Sequence, residues 1–306
     1  MSQLRNTGGF PGAPHYPRKA RRQIMSDRLT IVSVSDPVYL RHLEALAVSL
    51  RRNYPLAQPY FLLVNVDPAQ AARLRKVHPD AEIEHVARTF ATDELKRSFC
   101  ANCRAGLLHQ LLQAGCERLL YLDADSLVRH NLAELDRLIA SHDITILRRS
   151  VDGEEQIRFA SGVIGLNRAP QTTAFVARWA EQIDANEQQW FNDQLYFSRT
   201  FDELGSTVSH GQLPLEYIDW EFRRASPIWV GKGPRKFDEW LYVMEEKHYL
   251  AHGRSGERIR HAALSTSLRA ARMAIRWAPR SLRSRVAALG RVWSRSSGVA
   301  LASEGK

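Results

Sequence analysis

The chain has 306 residues, 44% of them hydrophobic and 25% charged, proportions that suit a globular protein with a full-sized core. No apolar run approaches the length of a membrane-spanning helix, and three cysteines (Cys100, Cys103 and Cys116) are too few, and odd in number, for a secreted disulfide framework. The net charge of +10 calls for an acidic partner: a nucleic acid, an anionic membrane surface or a phosphate-bearing substrate.

Residues 1–27 are polar, rich in Gly and Pro, and basic at Arg18, Lys19, Arg21 and Arg22. They lack the apolar segment of a signal peptide and read as a disordered leader to a cytoplasmic protein, with Met25 as an alternative start. A β-branched apolar run predicts a buried strand over 29–35, and Asp36-Pro37 then opens a turn or a helix N-terminus. Leu40, Leu43, Leu46, Val48 and Leu50 follow with helical spacing. Strands are predicted over 60–66, 81–86 and 118–122, and helices over 69–77 and 97–114, the second stopped by Gly115. Beyond residue 140 the pattern mixes strands over 144–147, 157–167 and 212–218 with helices over 171–183 and 193–201. Strands alternating with helices predict an α/β fold: a Rossmann-like, mostly parallel sheet with helices on both faces, over a domain of residues 28–260. Ligands of such sheets bind beyond the carboxyl ends of the strands, where Asp36 and Asp123 fall.

Residues 261–306 differ. No Asp or Glu occurs from His261 to Ser303, while Arg269, Arg272, Arg276, Arg280, Arg283, Arg285, Arg291 and Arg295 do. Leu264, Leu268, Ala271 and Ile275 share one helical face, and Leu282, Val286, Leu289 and Trp293 another beyond Pro279. Two basic amphipathic helices result. Packing on the domain, a nucleic-acid arm and a membrane-surface anchor are all open to them; Trp277 and Trp293 among arginines favour the anionic membrane surface over nucleic acid.

Four segments can carry chemistry. Asp123 and Asp125, one residue apart after a buried strand, make a compact pair of hard oxygen ligands suited to Mn²⁺ or Mg²⁺; the alternative is a solvated turn in which Asp125 caps a following helix. Small residues at Ala160, Ser161 and Gly162 inside a strand point to close approach of a ligand or another backbone. Asn192, Asp193 and Gln194, between aromatic residues, can orient hydroxyl groups or cap a helix. His252 to Arg258 combines a possible metal ligand, two glycines and the guanidinium groups of Arg254 and Arg258, or is a basic surface loop. Cys100 and Cys103 have redox-motif spacing without a redox setting, and Gly231-Lys232-Gly233 begins like a dinucleotide fingerprint that Pro234 and Lys236 break.

In order and spacing these segments resemble the retaining glycosyltransferases of the GT-A fold, closest to the family-eight group of glycogenin-like and lipopolysaccharide galactosyl- and glucosyltransferases. The resemblance runs from about Leu29 to Arg258 and is most specific from Asn102-Cys103-Arg104 through Gly115 to Tyr121-Leu-Asp-Ala-Asp-Ser126. It implies that Asp123 and Asp125 bind the metal and that His252 completes its site. It also implies that Ser33, Asp36 and Tyr39 hold the uridine, with Tyr39 stacked on the base, and that Arg104 reaches the donor sugar. Ala160 to Gly162 would line the sugar pocket, Asp193-Gln194 would stand beside the reacting carbon, and Arg258, six residues after His252, would take a phosphate-binding lysine's place. Two positions depart from the pattern. Ala160 replaces an asparagine, and Ser255 stands where a glycine three residues after the histidine is usual.

The implied reaction transfers a hexose from a UDP-sugar to a glycan or lipid-linked acceptor in surface-glycan or lipopolysaccharide assembly. Mn²⁺ (or Mg²⁺) would act as Lewis acid on the leaving diphosphate, aided by Arg254 and Arg258. Gln194 would stabilise the oxocarbenium-like centre and Asp193 would orient sugar hydroxyls during front-face attack with retention. An inverting GT-A transferase is the alternative reaction, and a non-catalytic membrane- or nucleic-acid-binding protein on a degenerate transferase fold is the alternative class.

Overall fold

The computed structural model describes residues 28–149, 158–186 and 189–252. In chain order it forms β1 (Thr30–Ser35), α1 (Leu40–Asn53), β2 (Gln58–Val64), α2 (Ala72–Val77), β3 (Glu82–Val86), α3 (Asp93–Gln113), β4 (Arg118–Leu122) and β5 (Ser126–Val128). Then come α4 (Ala133–Ala140), β6 (Ile144–Arg148), β7 (Phe159–Asn167), α5 (Pro170–Asp184), α6 (Asn192–Leu204), β8 (His210–Gln212), β9 (Ile228–Val230), α7 (Arg235–Asp238) and α8 (Trp240–His252). The leader, Arg254, Arg258 and the two basic amphipathic helices expected over 261–306 lie outside the described residues.

The expected α/β architecture is present. A seven-stranded sheet runs in the order β3-β2-β1-β4-β7-β6-β8, and β5 and β9 form a separate antiparallel pair. Within the large sheet only β7 runs against its neighbours. Parallel strands covered on both faces must be apolar on both, and β1 and β2 satisfy this. Ile31, Phe61 and Leu63 pack with Leu43, Leu46 and Leu50 of α1. Val32, Leu62 and Val64 pack on the other face with Leu107, Leu108 and Leu111 of α3 and Trp179 of α5.

The prediction over 212–218 was of one strand. Instead β8 ends at Gln212, Pro214 follows, and Leu215–Ile218 is a 3-10 turn; a proline cannot donate to a sheet ladder and breaks the extension. Asp125 caps no helix, because Ser126–Val128 is a strand paired with β9. The long helix starts at Asp93, ahead of the predicted 97, because the Thr92 hydroxyl accepts a hydrogen bond from Leu95 N and fixes the N-terminus there.

Candidate active site

From β1 the sheet order runs outward through β2 on one side and through β4 on the other. The carboxyl ends of β1 and β4 therefore flank a topological switch point, the place where open α/β sheets leave a crevice. A cleft of about 490 Å³ opens there, within the range of small-molecule sites. Asp36, Tyr39, Arg104, Asp123, Asp125, Ala160, Ser161, Gly162, Asp193 and Gln194 all line it.

Arg104 organises one wall. It is buried, and Nη1 donates to Ser161 O at 2.8 Å while Nε donates to Ala101 O at 2.6 Å. The same Nη1 stands 3.2 Å from Asp123 Oδ1 and 3.6 Å from Asp193 Oδ2, and the guanidinium carbon lies 4.6 Å from the Tyr121 ring centroid. Burial alone would lower the basicity of Arg104, but Tyr121, Asp123 and Asp193 outweigh it and hold the group charged. Asp193 is held at 2.5 Å by the Ser161 hydroxyl, and its backbone N–H donates to Asn102 Oδ1 at 3.1 Å. Gln194 Oε1 accepts from Arg149 Nη2 at 3.0 Å. Burial pushes the Asp123 carboxyl up from the usual carboxylate range, with Arg104 opposing and Asp125 adding to the rise.

Gly162 owes its identity to Asp123. A Cβ at this position would lie 2.8 Å from Asp123 Oδ2, so only a glycine lets β7 pass beneath the carboxylate without displacing it. Gly162 O in turn accepts the Asp123 backbone N–H at 3.0 Å. Asp36 Oδ1 accepts from Tyr39 N at 3.0 Å, which closes the turn from β1 into α1 and aims Tyr39 at the cleft. Ser33 is fully buried within β1, and its hydroxyl has no hydrogen-bond partner among the described residues. It lies two residues below Ser35, the first of the β1 serines to line the cleft.

The other wall is one that sequence reasoning missed. The backbone N–H of Gly231 donates to Asp125 O at 2.9 Å, and this brings the loop after β9 against the two aspartates. Lys232, Gly233 and Lys236 line the cleft. Lys236 Nζ stands 3.1 Å from Asp125 Oδ2 and 2.8 Å from the Tyr39 hydroxyl oxygen. Burial works against its charge, but Asp125 and Tyr39 prevail and raise the ammonium's pKa above its ordinary value. A signal was present in the sequence. Gly233 and Lys236 stand three and six residues after Val230, the spacing sought around His252, with valine in the histidine's register. His252 is the last residue of α8. At 1.5 Å per residue its backbone lies about 15 Å along the helix from Tyr242, the α8 residue whose hydroxyl reaches Asp125 O at 2.8 Å.

A divalent ion therefore fits the described residues poorly. Both carboxylates already face a buried cation, Arg104 for Asp123 and Lys236 for Asp125. No third His, Cys, Asp or Glu among the described residues joins them in a cluster able to hold a metal. The two cysteines are inert by a similar physical argument. Burial pushes the Cys103 thiol up to about 12 and the Cys100 thiol further still, so neither is a thiolate at neutral pH.

No protein-family profile and no curated protein sequence matches the chain. Solved structures do. The glycosyltransferase GlyE of Streptococcus pneumoniae TIGR4 is 13% identical with a TM-score of 0.51, over 79% of this chain and 64% of GlyE. The bifunctional glycosyltransferase WbbM is 14% identical with a TM-score of 0.54, over 78% of this chain and 52% of WbbM. The galactosyltransferase LgtC, solved with donor and acceptor sugar analogs, is 16% identical with a TM-score of 0.50, over 73% of this chain and 95% of LgtC. The chain thus spans under two thirds of GlyE and about half of WbbM. At these identities the likeness is one of fold, and the fold is the GT-A fold expected from the order of the four segments.

Proposed function

We propose that the chain is a glycosyltransferase that binds a UDP-sugar in this cleft and passes its hexose to a glycan or lipid-linked acceptor. One observation carries the reading: Arg104 gathers Asp123, Ser161 and Asp193, from three separate segments, at the switch point of a GT-A sheet. Asp36 and Tyr39 border the part of the cleft suited to the uridine. The diphosphate is a poor leaving group until its charge is matched, and cations already fixed in the cleft match it at little reorganisation cost. The cleft is lined by five cations and four carboxylates.

Transfer forms a bond from the acceptor hydroxyl oxygen to the anomeric carbon and breaks the bond from that carbon to the diphosphate. The acceptor proton passes to the departing phosphate oxygen. Asp193 is committed to Ser161 and Arg104, which suits it to orienting sugar hydroxyls rather than to attacking carbon. The Gln194 amide is neither nucleophile nor base. Direct front-face attack with retention fits these two side chains best. An Mn²⁺ or Mg²⁺ ion as the neutralising cation is the part of the expected mechanism that the described residues fit least. No helix among the described residues is long and apolar enough to cross a membrane, and the arginine-rich residues 261–306 suit docking on an anionic membrane surface rather than on nucleic acid. The test is a calorimetric screen of UDP-sugars followed by anomeric NMR of the product formed with an acceptor. Binding of one donor and a retained anomer support the reading; binding of no nucleotide sugar overturns it.

A further inference from the structure

We infer that Lys236 takes the place of a divalent ion at the diphosphate, so that nucleotide binding in this cleft needs no metal. This rests on the donor-site reading above. Lys236 is built into the site rather than draped over it. Its side chain is 6% exposed, and Nζ lies 4.5 Å from the Tyr39 ring centroid. Gly231 makes room for it: a Cβ there would stand 2.7 Å from Lys236 Cβ and 3.0 Å from Tyr242 Cζ. A lysine ammonium has three N–H donors. Asp125 and Tyr39 take two, and the third is left for a ligand in the cleft that Lys236 lines. An ammonium so held is a point charge of the kind that binds phosphate. A cation entering between Asp123 and Asp125 would meet Arg104 and Lys236, two like charges already paired with these carboxylates, and would have to displace one of them.

The test is calorimetric titration of the full chain with UDP, once in excess EDTA and once in MnCl₂. It is repeated on Lys236→Met and Lys236→Arg, with thermal melting to confirm that each variant folds. Wild-type affinity is expected to agree within about twofold between the two buffers. Lys236→Met is expected to lose about ten- to a hundredfold in EDTA, the worth of one charge-assisted hydrogen bond, and to regain part of it in MnCl₂ because the freed Asp125 can then hold an ion. Lys236→Arg should keep most of the affinity. Wild-type binding that collapses in EDTA and returns with MnCl₂ overturns the inference while leaving the donor site standing, and that arm needs no variant. Full affinity of a folded Lys236→Met in EDTA overturns it as well. Failure of UDP to bind in either buffer overturns both the inference and the reading beneath it.

Discussion

Two glycines three residues apart on β7 should separate activity from stability. At Gly162 an added Cβ would meet Asp123 Oδ2 at 2.8 Å, with Asp123 Cγ at 3.6 Å and Ile218 Cδ1 at 3.9 Å. Only the carboxylate is crowded, and ordinary contact needs roughly another half ångström. A side-chain tip can yield that distance cheaply, so Gly162→Ala is expected to cost under about 1 kcal/mol of stability. The same movement displaces one corner of the donor site, and misplacements near 1 Å can cost about a hundredfold in rate. A ten- to hundredfold fall in donor hydrolysis and transfer is therefore expected, about 1.4–2.7 kcal/mol in barrier. At Gly165 the Cβ would lie 2.5 Å from Ile139 Cγ1, 3.0 Å from Ile139 Cδ1 and 3.1 Å from Thr145 Cβ, all within the packed core. Gly165→Ala is expected to cost about 1–3 kcal/mol by overpacking and to leave the activity of the folded fraction unchanged. Urea denaturation and initial-rate measurements on the same preparations decide it. Wild-type hydrolysis by Gly162→Ala, or equal stability losses in the two variants, would refute the claim that Gly162 exists to seat Asp123.

Arg104→Met removes the cation shared by Asp123 and Asp193 and should destabilise the fold by about 3–5 kcal/mol in urea denaturation; adding Asp123→Asn should recover at least about 1 kcal/mol, and a loss below that in the single variant would show the cluster to be loosely coupled. Trp190 and Phe191, 55% and 47% exposed at the cleft mouth, offer flat apolar surface to an acceptor, so Trp190→Ala should raise the acceptor KM about tenfold with UDP affinity unchanged in calorimetry. His78 is buried, with Nε2 2.8 Å from Ala47 O, and burial lowers its pKa. A proton then binds the unfolded chain more readily than the folded one, and stability should fall as pH drops below about 6.5. Replacement by Gln should flatten that limb of a pH–stability curve, and an unchanged slope would assign it to other groups. Truncation after residue 260 should abolish salt-sensitive binding to anionic liposomes, and undiminished sedimentation of the truncated chain with the liposomes would discard the membrane role.

The half of the site that could be read from sequence lies where a long apolar signal runs directly into polar residues. β1 delivers the chain to Asp36 and β4 to Asp123, each after an apolar strand, and α3 carries Arg104 on a helix of 21 residues. The other half is carried by elements too short to show a period. β5 and β9 have three residues each, and their pairing joins Ser126 to Val230 across a hundred residues of chain. Apart from the spacing of Gly233 and Lys236 after it, nothing local marks Val230 as a neighbour of Asp125. Tyr249-Leu250-Ala251 is ambiguous for a different reason. Three consecutive apolar residues do not distinguish a strand from the last turn of a helix, and in α8 they form that turn.

The Asp-X-Asp pair takes on a different character once both walls are present. Two carboxylates one residue apart in an empty pocket would repel each other, and such a pocket would need an ion to become stable. Here α3 supplies Arg104 to one carboxylate and α7 supplies Lys236 to the other, so the repulsion is answered before any ligand arrives. Each cation is fixed by more than its ion pair: Arg104 by two backbone carbonyls and the Tyr121 ring, Lys236 by the Tyr39 hydroxyl and ring. Groups fixed in this way need not reorganise as charge develops on a leaving diphosphate, which is the condition for electrostatic stabilisation to lower a barrier rather than only to tighten binding. The aspartates then act as anchors that hold two cations in register across the cleft. On that account Asp125→Asn should weaken UDP binding by loosening Lys236, in EDTA as much as in MnCl₂, whereas an aspartate serving only as a metal ligand would show its loss in MnCl₂ alone.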